Sequence, residues 1–217
     1  ALAVFFGLIG WGPGCFLMFG HRIYDVMNNY TLVAVPLFVL MAQFLIQSGV
    51  ADGLFRSFRY LLGPLRGGLA MTVIVVSTVF AACTGVIAAS VVTMGALALP
   101  LLLKYGYQKE LSVGTVCAGG TLGILIPPSI MLVIMGAQAG LSVGKLFMAA
   151  IFPGLILSSL YLTYIAIRCW KQPELGPAMS LEERKAMPVR RRVSTSLVHL
   201  VPPAILIMAV LGAIFLG

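Results

Sequence analysis

Residues 119–128 read Gly-Gly-Thr-Leu-Gly-Ile-Leu-Ile-Pro-Pro and lie in the middle of an apolar segment that covers residues 111–139. Proline has no amide hydrogen to donate and its ring clashes with the preceding turn, so the Pro127-Pro128 pair cannot continue an α-helix. The glycines weaken a helix further. An apolar segment interrupted in this way predicts two half-helices joined by irregular backbone.

The composition places this break in a membrane. Of 217 residues, 60% are hydrophobic and 9% are charged, and the mean hydropathy is +1.07. In soluble domains about 45–50% of the residues are apolar and about 25% are charged, because polar residues must cover the surface. Disordered chains are far less apolar than this one. We therefore expect an all-α polytopic membrane protein. A helix needs about 20 apolar residues to span a membrane. The apolar segments that reach or approach this length are residues 1–20, 31–48, 68–103, 111–139, 145–167 and 197–217.

A second interruption lies in segment 68–103, which is too long for one span. The sequence breaks near Thr84-Gly85, and the arm Ala70–Thr84 would reach about 22 Å as a helix, short of the roughly 30 Å of a bilayer core. The short arm favours a hairpin that turns back within the membrane. Because irregular backbone at membrane depth survives only where it is buried in protein or lines a cavity, both breaks indicate a functional site.

The positive charges predict the orientation. If residues 168–196 form a cytoplasmic loop and segment 68–103 is a hairpin, 12 of the 14 Lys and Arg residues are cytoplasmic, and Arg22 and Lys145 face outward. A single crossing by segment 68–103 would leave a split of 10 to 4. Cytoplasmic loops carry the excess of Lys and Arg, so the hairpin is favoured. This asymmetry accounts for the net charge of +8 without a nucleic-acid partner, which we do not expect.

Two polar stretches have helical patterns of their own. Residues 51–62 repeat apolar side chains at helical spacing opposite arginines, which predicts an amphipathic helix in the membrane interface. In the loop, residues 180–184 have capping-box spacing, which predicts a short surface helix. The chain begins and ends inside apolar segments, so we expect it to be a fragment of a longer membrane protein.

The chemistry-bearing residues narrow the function. No Asp or Glu lies within a predicted span, which argues against a carboxylate proton relay and a zinc-binding H-E-x-x-H motif. We therefore expect neither enzyme activity nor a cofactor. The cysteines are far apart and are predicted to be small buried apolar residues; they are Cys15, Cys83, Cys117 and Cys169.

Uncharged oxygens are present at both breaks. A hairpin tip at Thr84-Gly85 leaves unpaired carbonyls on the incoming arm and unpaired amides on the outgoing arm, and Ser90 adds a hydroxyl. The second break supplies the carbonyls of residues 119–123 and the hydroxyl of Thr121. In alternating-access transporters, half-helix C-termini hold cations and N-termini hold anions. A hard monovalent cation such as Na+ suits an uncharged oxygen site.

Several motifs resemble one transporter family. Residues 114–130, Gly-Thr-Val-Cys-Ala-Gly-Gly-Thr-Leu-Gly-Ile-Leu-Ile-Pro-Pro-Ser-Ile, are similar to the glycine-rich Pro-Pro-Ser stretch of the large permease subunit of tripartite ATP-independent periplasmic (TRAP) transporters, the C4-dicarboxylate and sialic-acid large-subunit family. Three further landmarks occur in the family's order and extend the similarity over essentially the whole chain; they are Val35-Pro36-Leu37-Phe38, Arg66-Gly67-Gly68-Leu69-Ala70 and Ser142-Val143-Gly144-Lys145-Leu146-Phe147.

The resemblance implies an elevator-type symporter of the bacterial inner membrane that imports an organic acid anion, with Na+ as the coupling ion. Its implied partners are a periplasmic substrate-binding protein, a small four-helix membrane subunit and the lipid bilayer. The implied Na+ site consists of Thr84, Gly85, Ser90, Gly119, Thr121 and Gly123, and the implied substrate contacts are Thr93, Pro127 and Ser129.

The same resemblance implies how the chain is divided. Scaffold helices and the interfacial helix occupy residues 1–67, and a transport region with the re-entrant hairpin 68–103 and the broken helix 111–139 occupies residues 68–144. A transmembrane helix (145–167), the cytoplasmic loop (168–196) and a last helix (197–217) lead to a missing second half. Two alternatives stay open: a single-component Na+-coupled dicarboxylate carrier of similar architecture, and a membrane scaffold that does not transport.

Overall fold

The structure, a computed structural model, describes residues 2–179 and 189–216. Within these residues the regular elements are helical. They are α1 (Leu2–Trp11), α2 (Gly14–Met27), α3 (Tyr30–Gln47), α4 (Val50–Leu62), α5 (Gly68–Thr84), α6 (Ile87–Lys104), α7 (Lys109–Leu125), α8 (Ile130–Ala139), α9 (Val143–Lys171), a 3-10 turn (Pro173–Leu175) and α10 (Val189–Leu216).

The helices fit a membrane. In the described residues, four stretches are long and apolar enough to span one, or five if α2 and α3, which are bent by 54°, form one span. The four are Ile87–Lys104, Lys109–Ala139, Val143–Lys171 and Ser196–Ile214. The protein is an all-α polytopic membrane protein, as the composition predicts.

The hairpin of α5 and α6 turns where the sequence predicts. Gly85 ends α5 in the left-handed region, with a φ of +62°, and the extended residue Val86 leads into α6. Left-handed backbone is costly for residues that carry a Cβ, so glycine suits this turn. The two arms are therefore joined by two residues.

The second break is shorter than the sequence predicts. Helix α7 continues through the glycines to Leu125, and the irregular backbone is confined to residues 126–129, which contain a cis peptide bond between Pro127 and Pro128. Glycine lowers helix stability but keeps its amide hydrogen, whereas proline removes one, so the prolines alone end the helix. The half-helices α7 and α8 together form the apolar stretch Lys109–Ala139.

The glycines of α7 instead allow close packing against the hairpin. A Cβ added at Gly120 would lie 2.1 Å from Val91 Cγ2 on α6. A Cβ added at Gly119 would lie 2.6 Å from Ser77 Oγ on α5. Any larger residue at either position would push an arm of the hairpin away from α7.

Paired contacts fix the relative directions of these three helices. Helix α5 runs in the same direction as α7, because they meet in the order Leu69 with Tyr107, Ser77 with Gly119, and Gly85 with Pro128. Helix α6 runs the opposite way, because Val91 meets Gly120 and Gly95 approaches Val116. The hairpin tip thus lies at the level of the α7–α8 break, and α8 continues for about 15 Å beyond it.

Helix α4 is amphipathic, as predicted, but its apolar side packs on protein. Leu54 and Phe55 are 1% and 4% exposed and belong to the same core as Phe80 and Leu122. Helix α4 contacts α5 and α10 through this side. Its apolar side therefore packs against the bundle, Asp52 and Arg56 are paired at 2.9 Å on the outer side, and its position at the membrane interface stays a prediction.

Other sequence boundaries shift. The apolar segment 1–20 is divided at Gly12, whose φ is +65°, and α2 continues to Met27, seven residues beyond the predicted end of that segment. The predicted loop 168–196 is shorter, since α9 extends to Lys171 and α10 begins at Val189. The short helix predicted from residues 180–184 lies outside the described residues.

The first part of that loop is fixed to the base of the hairpin. Gly67 donates its amide hydrogen to the Gly176 carbonyl at 2.9 Å, and Met179 donates to the Gly63 carbonyl at 2.9 Å. Cys169 is buried here, as predicted, and so is Cys83 in α5, but Cys117 is exposed on α7. The Cys15 side chain lies outside the described part of the structure.

Candidate functional site

The candidate site is the contact between the hairpin tip and the α7–α8 break. The amide of Ile130, the first residue of α8, donates to the Gly85 carbonyl at 3.4 Å. A Cβ added at Gly85 would lie 2.5 Å from the Pro128 carbonyl oxygen, which is rigid backbone. Both the positive φ and this approach require glycine at position 85. The two interruptions predicted from the sequence therefore contact each other in the structure.

Two hydroxyls lie together behind the tip. Thr84 Oγ1 and Ser90 Oγ are 3.1 Å apart, and both residues are completely buried. Ser90 donates to the Val86 carbonyl at 3.2 Å. If Ser90 uses its hydrogen there, Thr84 must donate to Ser90, which leaves the lone pairs of Thr84 Oγ1 as acceptors. The pair thus presents uncharged oxygen to the tip.

Ser129 contributes a third buried hydroxyl at the break. Ser129 is completely buried, and its Oγ has no hydrogen-bond partner. It stands at the start of α8 in extended conformation, without the side-chain cap that serine commonly provides there. Buried polar atoms are nearly always satisfied by protein, water or a ligand, so this oxygen is fit to contact a bound species.

Four helix ends converge at the site. Helices α5 and α7 end there, so their last carbonyls, which have no partner within the helix, lie near one another. Helices α6 and α8 begin there and bring their first amides. The partial negative charge of the C-termini favours a cation, and the partial positive charge of the N-termini favours an anion. The donor set fits Na+, because it consists of hydroxyl and carbonyl oxygens.

The other predicted site residues are spread more widely. Thr121 is exposed and donates its hydroxyl to the Ala118 carbonyl of its own helix at 2.7 Å. Gly119 packs on α5 about two turns before the break. Gly123 lies within van der Waals distance of the tip, since its added Cβ would be 3.5 Å from Val86. Pro127 is buried in the break, and Thr93 is partly buried on α6.

The structure shows a second orphan hydroxyl that sequence reasoning missed, beside Gly119 and about two helical turns from the tip. Ser77 on α5 is completely buried, and its Oγ has no partner. It lies seven residues before Thr84, so both residues are on one face of α5. That spacing of two hydroxyl residues in an apolar helix was the available signal.

Comparisons with known proteins show which family the chain belongs to. The family described as tripartite ATP-independent periplasmic transporter, DctM component, matches residues 1–217. The chain is 39% identical over 164 residues to the C4-dicarboxylate TRAP transporter large permease protein DctM of Pseudomonas aeruginosa, which covers 75% of this chain and 38% of that protein. The protein of the same name from Vibrio cholerae is 38% identical over 163 residues, 73% of this chain and 36% of that protein.

A third relative carries a different substrate name. The isethionate TRAP transporter permease protein DctMQ of Oleidesulfovibrio alaskensis is 31% identical over 188 residues, 87% of this chain and 29% of that protein. The chain thus spans less than two fifths of the length of these curated relatives. Because the family matches from the first residue to the last, the chain belongs to the DctM family of TRAP transporter large permeases.

Proposed function

We propose that the chain forms part of the large permease of a Na+-coupled TRAP transporter that imports an organic acid anion across the bacterial inner membrane. The observation that carries this proposal is the meeting of the hairpin tip with the helix break. There, the Thr84–Ser90 hydroxyl pair and the orphan Ser129 hydroxyl lie beside two helix C-termini. The Thr84–Ser90 pair and the helix-end carbonyls would hold Na+, which would offset the partial charge of the carbonyls, and Ser129 stays the proposed substrate contact beside them.

The hairpin is proposed to be re-entrant. Its tip lies at the level of a break inside a stretch long enough to span the membrane. If α7 and α8 cross the bilayer together, the tip ends within it, because α8 extends about 15 Å further. A short hairpin end of this kind, packed against a broken helix, gives a site in the middle of the membrane that can be exposed to either side.

The proposed substrate is an anion. Two of the relatives are named for C4-dicarboxylates and one for isethionate, which carry carboxylate or sulfonate groups. The first amides of α6 and α8 and the partial positive charge of these helix ends suit such a group. A periplasmic binding protein would deliver the anion, and a small four-helix membrane subunit would complete the permease.

Reconstitution tests this proposal. The full-length protein is placed in liposomes together with its small subunit. Uptake of the anion should then require both the binding protein and an inward-directed Na+ gradient. Replacing Na+ with K+ at equal ionic strength is the control for charge and osmotic effects. Uptake with Na+ by the large permease alone, without the small subunit and the binding protein, would indicate the single-component carrier instead. Uptake that depends on neither Na+ nor the binding protein would contradict Na+ coupling and the tripartite assembly.

A further inference from the structure

A groove of about 700 Å³ lies between α7 and α9, at the opposite end of α7 from the helix break. Residues 108–118 form one wall, and residues 157–168 form the other, with Ile74 of α5 at the base. The groove shares none of its lining with the hydroxyl site. Its volume falls within the range of about 300–1,000 Å³ that is usual for pockets that bind small molecules.

The walls of the groove are apolar and open to the outside of the bundle. Gly114 and Ala118 have small side chains, which leave space along the α7 wall. A Cβ added at Gly114 would meet no atom within 4 Å. On the other wall, Leu160 and Tyr164 are 58% and 59% exposed. Exposed apolar surface on a membrane helix must be covered by lipid or by another protein segment.

Two opposite charges stand at the mouth of the groove. Glu110 lies in the first turn of α7, and Arg168 lies in the last turn of α9. Both line the groove, yet they form no ion pair with each other; in the described residues the pair within 4 Å is Asp52–Arg56. The mouth therefore presents a cation and an anion separately to whatever occupies the groove.

We propose that this groove binds one phospholipid with a zwitterionic headgroup, phosphatidylethanolamine. An acyl chain lies along Gly114 and Ala118, the phosphate contacts the Arg168 guanidinium, and the lipid ammonium contacts the Glu110 carboxylate. Arginine binds phosphate oxygens through two parallel hydrogen bonds. Tyr164, one helical turn before Arg168, has the amphipathic ring that is common at the lipid–water boundary.

Charge complementarity favours this lipid over other occupants. The headgroup of phosphatidylglycerol has a phosphate but no ammonium, so it would leave Glu110 beside a second negative charge. A helix from elsewhere in the full-length protein would cover the apolar walls but would desolvate both charges unless it supplied a partner for each. The proposal does not depend on Na+ coupling or on the substrate.

Native mass spectrometry of the full-length protein tests the proposal. The delipidated protein would be titrated with phosphatidylethanolamine and, separately, with phosphatidylglycerol. Arg168→Gln should weaken phosphatidylethanolamine binding about tenfold, the factor expected for losing one hydrogen-bonded charged contact. Gly114→Leu, which fills the groove, should abolish the bound lipid. The matched controls are Lys171→Gln, a neighbouring cation outside the groove, and Ala149→Leu on an exposed part of α9.

A gain of binding makes the test independent of folding. Glu110→Gln should shift the preference from phosphatidylethanolamine toward phosphatidylglycerol, which an unfolded protein would not do. Equal phosphatidylethanolamine binding by Arg168→Gln and Lys171→Gln would overturn the proposal. A disulfide between Leu160→Cys and a second cysteine, introduced far away in the sequence of the full-length protein, would also overturn the proposal. Such a disulfide would place protein in the groove.

Discussion

At the scale of single residues, the hairpin tip combines a conformational requirement with a chemical one. Gly85 supplies the left-handed turn and the space for the Pro128 carbonyl. Its neighbour Thr84 shares a buried hydroxyl contact with Ser90 at 3.1 Å. Gly85 therefore shapes the tip, and Thr84 and Ser90 provide hydroxyl oxygens. Substitutions at these positions should therefore affect different measurable properties.

Replacing Thr84 with valine removes a buried hydroxyl while nearly preserving shape. Thr84→Val in the full-length protein should raise the Na+ concentration that half-saturates uptake by about tenfold, the effect of losing roughly 1.4 kcal/mol of binding. Thr121→Val is the matched control, because the Thr121 hydroxyl is exposed and bonded within its own helix. Equal Na+ responses in the two variants would remove Thr84 from the site.

Replacing Gly85 with alanine tests the turn. Gly85→Ala should destabilise the protein by about 3 kcal/mol or more, because backbone strain and a clash with the Pro128 carbonyl add together. Gly140→Ala is the control: Gly140 also has a positive φ, +66°, but an added Cβ meets nothing within 4 Å, so only about 1–2 kcal/mol of strain is expected. Chemical unfolding in detergent measures both; equal losses would show that the contact with Pro128 does not matter.

Sequence reasoning reached Thr84, Gly85 and Ser90 because an interruption in an apolar segment marks a turn. It did not reach the orphan hydroxyl of Ser77. A serine in a helix can satisfy itself on its own backbone, as Ser112 does with the Gln108 carbonyl, and the sequence does not show which serines do so. That distinction depends on the neighbouring helix.

At the scale of elements, α7 is the helix that holds the hairpin. Its two glycines at positions 119 and 120 face different arms, α5 and α6, at distances that no larger residue tolerates. The prolines that follow end the helix at the tip. One helix thus positions both arms and supplies one of the two carbonyl ends of the site.

The packing role of Gly120 can be measured against a second glycine in the same helix. Gly120→Ala places a Cβ 2.1 Å from Val91 Cγ2, and such overpacking should cost about 1–3 kcal/mol. Gly114→Ala adds a Cβ in open space and should be neutral or stabilising by about 0.5–1 kcal/mol. If both variants unfold at the same denaturant concentration as the wild type, α6 and α7 do not pack as closely at Gly120 as the structure indicates.

The base of the hairpin gives a dependence on pH. Tyr107, in the turn between α6 and α7, accepts a hydrogen bond from the Leu69 amide at 3.2 Å, and burial raises the pKa of Tyr107 to about 12. Because an unfolded tyrosine titrates near pH 10, this contribution to stability is constant below pH 10 and is lost between about pH 10 and 12. Unfolding free energies should fall less steeply over that range in Tyr107→Phe than in the wild type; parallel curves would contradict the buried, neutral Tyr107.

The positions of both breaks followed from the sequence, but the role of the α7 glycines did not. A proline pair in an apolar segment has one local consequence, loss of the helix. A glycine has two, weakening of the helix or close approach of a neighbour, and only the arrangement of α5, α6 and α7 distinguishes them. For the same reason, the amphipathic pattern of α4 predicted the helix but not its contact with α5 and α10.

At the scale of the whole molecule, a family match over the entire chain and a tip-to-break contact point to transport. The hairpin arms run antiparallel and end beside the break of a membrane-spanning stretch. Residues 80–91 and 119–132, which form that contact, contain no charged side chain, so hydroxyls, carbonyls and helix ends are the groups that can interact with ions there. We propose that this contact binds Na+.

The thermal stability of the full-length protein in Na+ shows whether the contact between the hairpin tip and the helix break binds this ion. A ligand that binds only the folded state stabilises it by about 2.7 kcal/mol at 100 times its dissociation constant. We predict that Na+ raises the thermal unfolding midpoint relative to equal K+, and that Thr84→Val removes the difference while Thr121→Val retains it. A wild-type midpoint that is the same in Na+ and K+ would contradict the account.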